Sequence, residues 1–125
     1  MPTTRICVVQ INVPDIDRAI DFYTDVLGFS VKSRASYPFA VVLEQDAFTF
    51  LLAKCDTSAT IDYPHVAQTL INIETPDLAA ALDDLKAKGV DLIHSEPQPC
   101  PPGLYAAFRD PFGNVMELLE YTRHA

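Results

Sequence analysis

From Ile6 to Val13, Cys7, Val9, Ile11 and Val13 alternate with Val8, Gln10 and Asn12, the two-residue period of a strand with one apolar and one mixed face. Pro14 and Asp15 end the alternation. Asp15 is placed to cap a helix whose Ile16, Ala19, Ile20, Tyr23 and Leu27 form one stripe, and Gly28 stops it. Three strand-like runs follow, Phe29–Ser33, Phe39–Glu44 and Phe48–Lys54, separated by polar punctuation. After a polar connector the order returns. Thr69, Ile71 and Ile73 alternate with Gln68, Leu70, Asn72 and Glu74; Thr75-Pro76-Asp77 opens a second helix with Pro76 at its first position. Leu78, Ala81, Leu82 and Leu85 form that helix's stripe and Gly89 ends it. Val90–His94, Leu104–Arg109 and Val115–Tyr121 read as its three strands, the last two joined by the turn residues Asp110-Pro111-Phe112-Gly113-Asn114.

The two halves overlay. Ile11-Asn12-Val13 falls on Ile71-Asn72-Ile73 at an offset of 60, Gly28 on Gly89 at 61, and Phe50-Leu51-Leu52 on Glu117-Leu118-Leu119 at 67. The chain therefore reads as one domain, residues 1–125, of α+β class. It contains two tandem βαβββ modules, one over about 5–54 and one over about 68–122, with a connector over about 55–67. Each sheet packs one face on its helix. Gln10 and Asn12 in the first strand, and Gln68, Leu70 and Asn72 in its counterpart, point the other way, so the expected architecture is an open, cleft-bearing mixed β-sheet barrel with flanking helices. The overlay puts Phe50 and Glu117 on that same cleft-facing surface.

Composition narrows the partners. Seventeen acidic against nine basic residues, a net charge of -8, leave no clustered lysine and arginine for a phosphate backbone, so nucleic acid is not expected. No apolar run reaches membrane length and the N-terminal residues lack a signal-peptide core, so no membrane and a cytoplasmic location are expected. Cys7, Cys55 and Cys100 are odd in number and widely spaced, the pattern of reduced thiols rather than of a disulfide framework or zinc knuckle. Tyr37, Phe39, Phe48, Phe50, Tyr105 and Phe108 lie in runs expected to border the cleft. Glu96–Gly103, with four prolines in eight residues, reads as a stiff rim. Aromatic and amide lining suits a small, partly aromatic or apolar organic molecule.

Val13-Pro14-Asp15-Ile16-Asp17-Arg18-Ala19-Ile20-Asp21-Phe22-Tyr23, then Val26-Leu27-Gly28-Phe29, and at the other end Phe108–Asn114 running into Glu117-Leu118, resemble the vicinal oxygen chelate superfamily of glyoxalases, bleomycin-resistance proteins and extradiol dioxygenases. The resemblance implies a divalent metal held by the first and last strands of each module. Its ligand positions fall on Val8, on Gln68 or Leu70, on Phe50 (Thr49 or Leu51 after a one-residue slip) and on Glu117. Only Glu117 and Gln68 offer oxygen, too few for a catalytic centre. His65, His94 and His124 lack ligand-pair spacing; His65 is the spare acid-base candidate.

The resemblance therefore implies a binder without a cofactor, in the manner of the family's drug-sequestering members and as a homodimer. Gln10, Asn12, Phe50, Gln68, Leu70, Asn72, Tyr105 and Arg109 are the expected ligand contacts, with Arg109 opposing Glu117. The alternatives are a divergent metal-dependent lyase, isomerase or dioxygenase using Glu117 and Gln68, and a metal-free acid-base enzyme with Glu117 as its catalytic group.

Overall fold

The computed structural model describes residues 2–122. The chain divides into two compact units, the first ending at Ser58 and the second beginning at Ala59. The connector is therefore shared between them: 55–58 goes with the first unit, and 59–67 with the second.

In the first unit β1 (Val9–Val13), α1 (Ile16–Asp21), β2 (Ser30–Ser33), β3 (Ala40–Gln45) and β4 (Phe48–Lys54) form a mixed sheet in the order β1-β4-β3-β2. β1 runs parallel to β4 and the other pairs are antiparallel. Ile11, Val13, Val41, Leu43, Phe50 and Leu52 are buried with Ile16, Ala19, Ile20 and Tyr23, so the period-two and helical stripes meet in one core. The Asp15 carboxylate accepts from the Arg18 N–H at 3.0 Å, the expected cap. The helix is not uniform to Leu27 as its stripe suggests: it widens into a π-helical turn over Phe22–Val26, where Leu27 N–H bonds the Phe22 carbonyl at 3.2 Å. The Thr24 hydroxyl donates back to the Ile20 carbonyl at 2.7 Å, competing with the regular ladder.

In the second unit β5 (Ile71–Glu74), α2 (Leu78–Ala87), β6 (Asp91–Leu92), β7 (Gln98–Cys100), β8 (Gly103–Arg109) and β9 (Val115–Tyr121) form a sheet in the order β5-β9-β8-β6, with β7 also on β8. The order repeats that of the first unit. Leu78, Leu82 and Leu85 are buried on the same side as Ala106, Phe108, Met116 and Leu118. Asp77, not Thr75, caps α2, its carboxylate accepting from Ala80 N–H at 3.0 Å, so Pro76 precedes the helix instead of opening it. Glu120 adds a second acceptor there, taking the Leu78 N–H at 2.7 Å.

Further boundaries differ from the sequence reading, among them β6, which covers only Asp91–Leu92 of the expected Val90–His94. β1 starts at Val9, with Ile6 91 % exposed, and β5 starts at Ile71, although the alternation continues before both; the β1–β4 pairing begins at Phe50 and the β5–β9 pairing at Met116. The proline-rich stretch is not all rim. Gln98–Cys100 pairs with β8, and Pro99 is tolerated because it sits in a short strand at the sheet margin.

Register also corrects the overlay. Capping residues Asp15 and Asp77 are 62 apart, and the buried Leu52 and Leu118, which pair with Ile11 and Ile73, are 66 apart. Both offsets are even. The overlay at 67 is odd relative to the first strand, and a one-residue slip moves a strand's whole side-chain set to its opposite face. The counterpart of Glu117 is thus Leu51, across from Gln10 as Glu117 is across from Asn72. Phe50 corresponds to Met116: it is 4 % exposed and stacks on Phe29 with centroids 4.7 Å apart, a core residue and not a cleft residue.

Candidate functional site

The β8–β9 turn sets the position of Glu117. Asp110 is 3 % exposed; its Oδ1 accepts from the N–H groups of Phe112 at 2.9 Å and Asn114 at 2.8 Å, and its Oδ2 from the Asn114 side-chain amide at 2.8 Å. Asp110 N–H in turn bonds the Asn114 carbonyl at 2.9 Å. A turn tied at so many points admits one register, which places Glu117 opposite Ala107 on β8 and Asn72 on β5. With Met116 and Leu118 facing the helix, the Glu117 carboxylate emerges on the other side of the sheet.

The segment from Ala59 to Val66 lies along the second unit. Ala59 N–H bonds the Phe112 carbonyl at 2.7 Å and the Arg109 guanidinium donates to the Ile61 carbonyl at 2.9 Å. Two residues on, the Tyr63 hydroxyl donates to Glu117 Oε2 at 2.5 Å. Tyr63, Asn72, Cys100, Pro102, Tyr105, Glu117 and Leu119 line a cavity of about 330 Å³ around this pair. The His94 ring stands edge-on to Tyr63 and Tyr105, with centroids 5.7 and 5.4 Å away, and its Nδ1 accepts from Ala107 N–H at 3.0 Å, which leaves the ring's proton on Nε2 when neutral.

Burial pushes the Tyr63 phenol well above its ordinary value of 10.0, and the bond and negative charge of Glu117 push it further, with a smaller contribution from Tyr105. The hydroxyl therefore stays a donor throughout the physiological range. Because the folded phenol holds its proton more tightly than the unfolded one, the stability it contributes is full below pH 10 and is lost as pH climbs beyond it. Urea unfolding at pH 8 and at about pH 11 checks this: Tyr63→Phe is expected to show a smaller alkaline loss than the parent chain.

Of the residues expected at the ligand, Asn72, Tyr105 and Glu117 come together in this cavity. Gln68 is exposed and Leu70 half-buried, both ahead of β5 and outside the cavity lining. Gln10 and Asn12 lie in the first unit and are exposed, with the Gln10 amide donating to Asn12 Oδ1 at 2.8 Å. Arg109 does not oppose Glu117; its guanidinium serves the Ile61 carbonyl and stands 4.0 Å from Asp91. Phe108 is buried toward the helix, whereas Phe39 and Phe48 are 73 % and 62 % exposed, leaving Tyr105 as the one of the six expected aromatics in the cavity lining. His65 is exposed, and His124 lies outside the described residues.

Sequence reasoning missed Tyr63 and the place of His94. Tyr63 sits in a connector with no periodicity, and nothing local reveals a bond across 54 residues. A usable signal existed: a carboxylate among apolar strand residues needs a partner.

The donor set does not fit the family's metal. With the register corrected, the implied positions are Val8, Leu51, Leu70 and Glu117, and one oxygen donor remains, already bonded by Tyr63. Among the described residues no three His, Cys, Asp or Glu side chains are gathered as a metal would need.

Two mixed sheets of identical strand order, each with one helix, and a carboxylate on the last strand beside a cavity define a glyoxalase-type fold. Residues 5–118 match the model of the Glyoxalase/Bleomycin resistance protein/Dioxygenase superfamily, and the chain belongs to that superfamily. It is 29 % identical, over 96 % of its length and 93 % of the other's, to a probable lactoylglutathione lyase of Vibrio cholerae. To an uncharacterized protein of Mycolicibacterium smegmatis it is 31 % identical over 74 % of each chain. Among solved structures it is similar to TnmS3, an antibiotic binding protein from Streptomyces, with a TM-score of 0.71 and 24 % identity over 98 % of this chain and 99 % of that one. It is likewise similar to a lactoylglutathione lyase from Agrobacterium tumefaciens, with a TM-score of 0.69 and 21 % identity over 96 % of each. Binders and lyases thus share this architecture. Among the described residues no helix is long and apolar enough to cross a membrane.

Proposed function

We propose that the protein binds a small, partly aromatic organic molecule in the cavity of the second unit, without the divalent metal that the superfamily resemblance implies. One observation carries the reading: the cavity holds a single carboxylate, Glu117, already hydrogen-bonded by Tyr63, among tyrosine, proline, leucine and amide side chains. Such a lining has apolar walls for a ring and a few polar groups to orient it. The antibiotic-binding relative of the same fold supports a binding role, and the site belongs to a cytoplasmic homodimer in this reading.

Thermal unfolding with added Mn, Fe, Ni or Zn separates this from a metal-dependent lyase. Specific metal binding to the native state raises the midpoint by mass action, and none of these ions is expected to raise it at 1 mM. A metal that does so, present near one per chain after purification without chelator, would establish the lyase reading instead. Glu117→Gln addresses the acid-base alternative: ligand binding weakens, and no turnover is expected in either chain.

A further inference from the structure

We infer that Tyr63 sets the ligand class of this cavity: its hydroxyl occupies one oxygen of Glu117 and leaves the other, so the site takes an aromatic molecule with a single N–H or O–H donor and gains nothing from a paired donor fork. This rests on the reading that the cavity binds a small molecule.

An ionised carboxylate has two oxygens and ordinarily receives a planar fork through both. Here Oε2 takes the Tyr63 hydroxyl, while Oε1 has no hydrogen-bond partner among the described residues. No buried side-chain polar atom among them lacks a partner, so Oε1 is reached from the cavity. The Tyr63 hydroxyl is no loose rotor. The chain that carries it is held two residues before at Ile61 by Arg109, and four before at Ala59 by the Phe112 carbonyl. Asn72, directly across the β5–β9 pair from Glu117, lines the same cavity, and Tyr105, Leu119 and Pro102 supply ring and aliphatic surface. Tyr63 thus acts as a built-in half of a bidentate partner, and a ligand supplies the other half.

The test uses two small aryl cations of equal charge: benzylamine, whose ammonium donates as a point, and benzamidine, whose two N–H groups form a fork. Each is titrated into the full chain and into Tyr63→Phe, following backbone amide signals of residues around Glu117 by NMR. In the parent chain the two are expected to bind within about threefold of each other; in Tyr63→Phe benzamidine is expected to gain about tenfold and benzylamine little. A preference for benzamidine of tenfold or more in the parent chain, or an unchanged ratio in the variant, would overturn the role of Tyr63 while leaving the binding reading standing. If neither cation shifts the cavity signals in either chain, the binding reading itself fails. Should Tyr63→Phe not fold, Glu117→Gln decides: both cations are expected to weaken about tenfold, and unchanged affinity overturns the inference.

Discussion

Replacing Gly113 by alanine is expected to lower the unfolding free energy by about 3–4 kcal/mol, seen as a fall in the urea midpoint with little change of slope. Gly113 has φ +83°, in the left-handed region, and a Cβ built there would lie 2.0 Å from the Ala59 carbonyl oxygen. That neighbour is backbone, already engaged through its N–H to the Phe112 carbonyl at 2.7 Å, and has no side-chain freedom with which to yield. Two costs therefore add: the conformational strain of a non-glycine residue and the displacement of the Ala59 segment from the turn. A midpoint within error of the parent would show that the Ala59–Phe112 contact contributes nothing.

The second large effect is predicted for Phe50→Ala, a loss of about 3–4 kcal/mol from emptying a packed aromatic site. Phe50 is 4 % exposed, stacked on Phe29, which in turn lies 5.6 Å from Tyr23. Removing the ring leaves Phe29 and Tyr23 beside a void, and the surrounding strands relax only in part. The measurement also discriminates between the two faces of β4. A cleft-lining phenylalanine would lose binding with little stability, whereas the core position loses stability and leaves fragment binding at the Glu117 cavity unchanged.

Phe50 shows why the fold was legible in the sequence and the site less so. Alternation at Val9, Ile11 and Val13, the stripe at Leu78, Leu82 and Leu85, and the turn at Asp110–Asn114 are local patterns with local causes, and all reappear as elements. Their repetition was enough to give the two-module plan. Which face a residue takes depends on parity between distant strands, and an overlay drifting by an odd number reverses it. At the site the misreadings had another cause. Glu117, Asn72 and Tyr105 follow from parity within one module and meet in the cavity. Arg109 was drawn away by a carbonyl of the connector, and Tyr63 was supplied by it, contacts that no spacing rule encodes. The capping of α2 was displaced by two residues for a physical reason as well, since Asp77 outcompetes Thr75 for the free N–H groups when its carboxylate already reaches Ala80.

The stretch from Ala59 to Val66 makes the duplication unequal. Fastened at Ala59, Ile61 and Tyr63, it was annexed by the later copy, whose own first strand begins only at Ile71. The first unit has Leu51 where the second has Glu117, so the two halves repeat one strand plan but not one set of side chains, and the added stretch stands with the half that carries the cavity's carboxylate. A recombination cut just ahead of β5 would therefore separate this stretch from Glu117, whereas a cut between Ser58 and Ala59 would keep the two together.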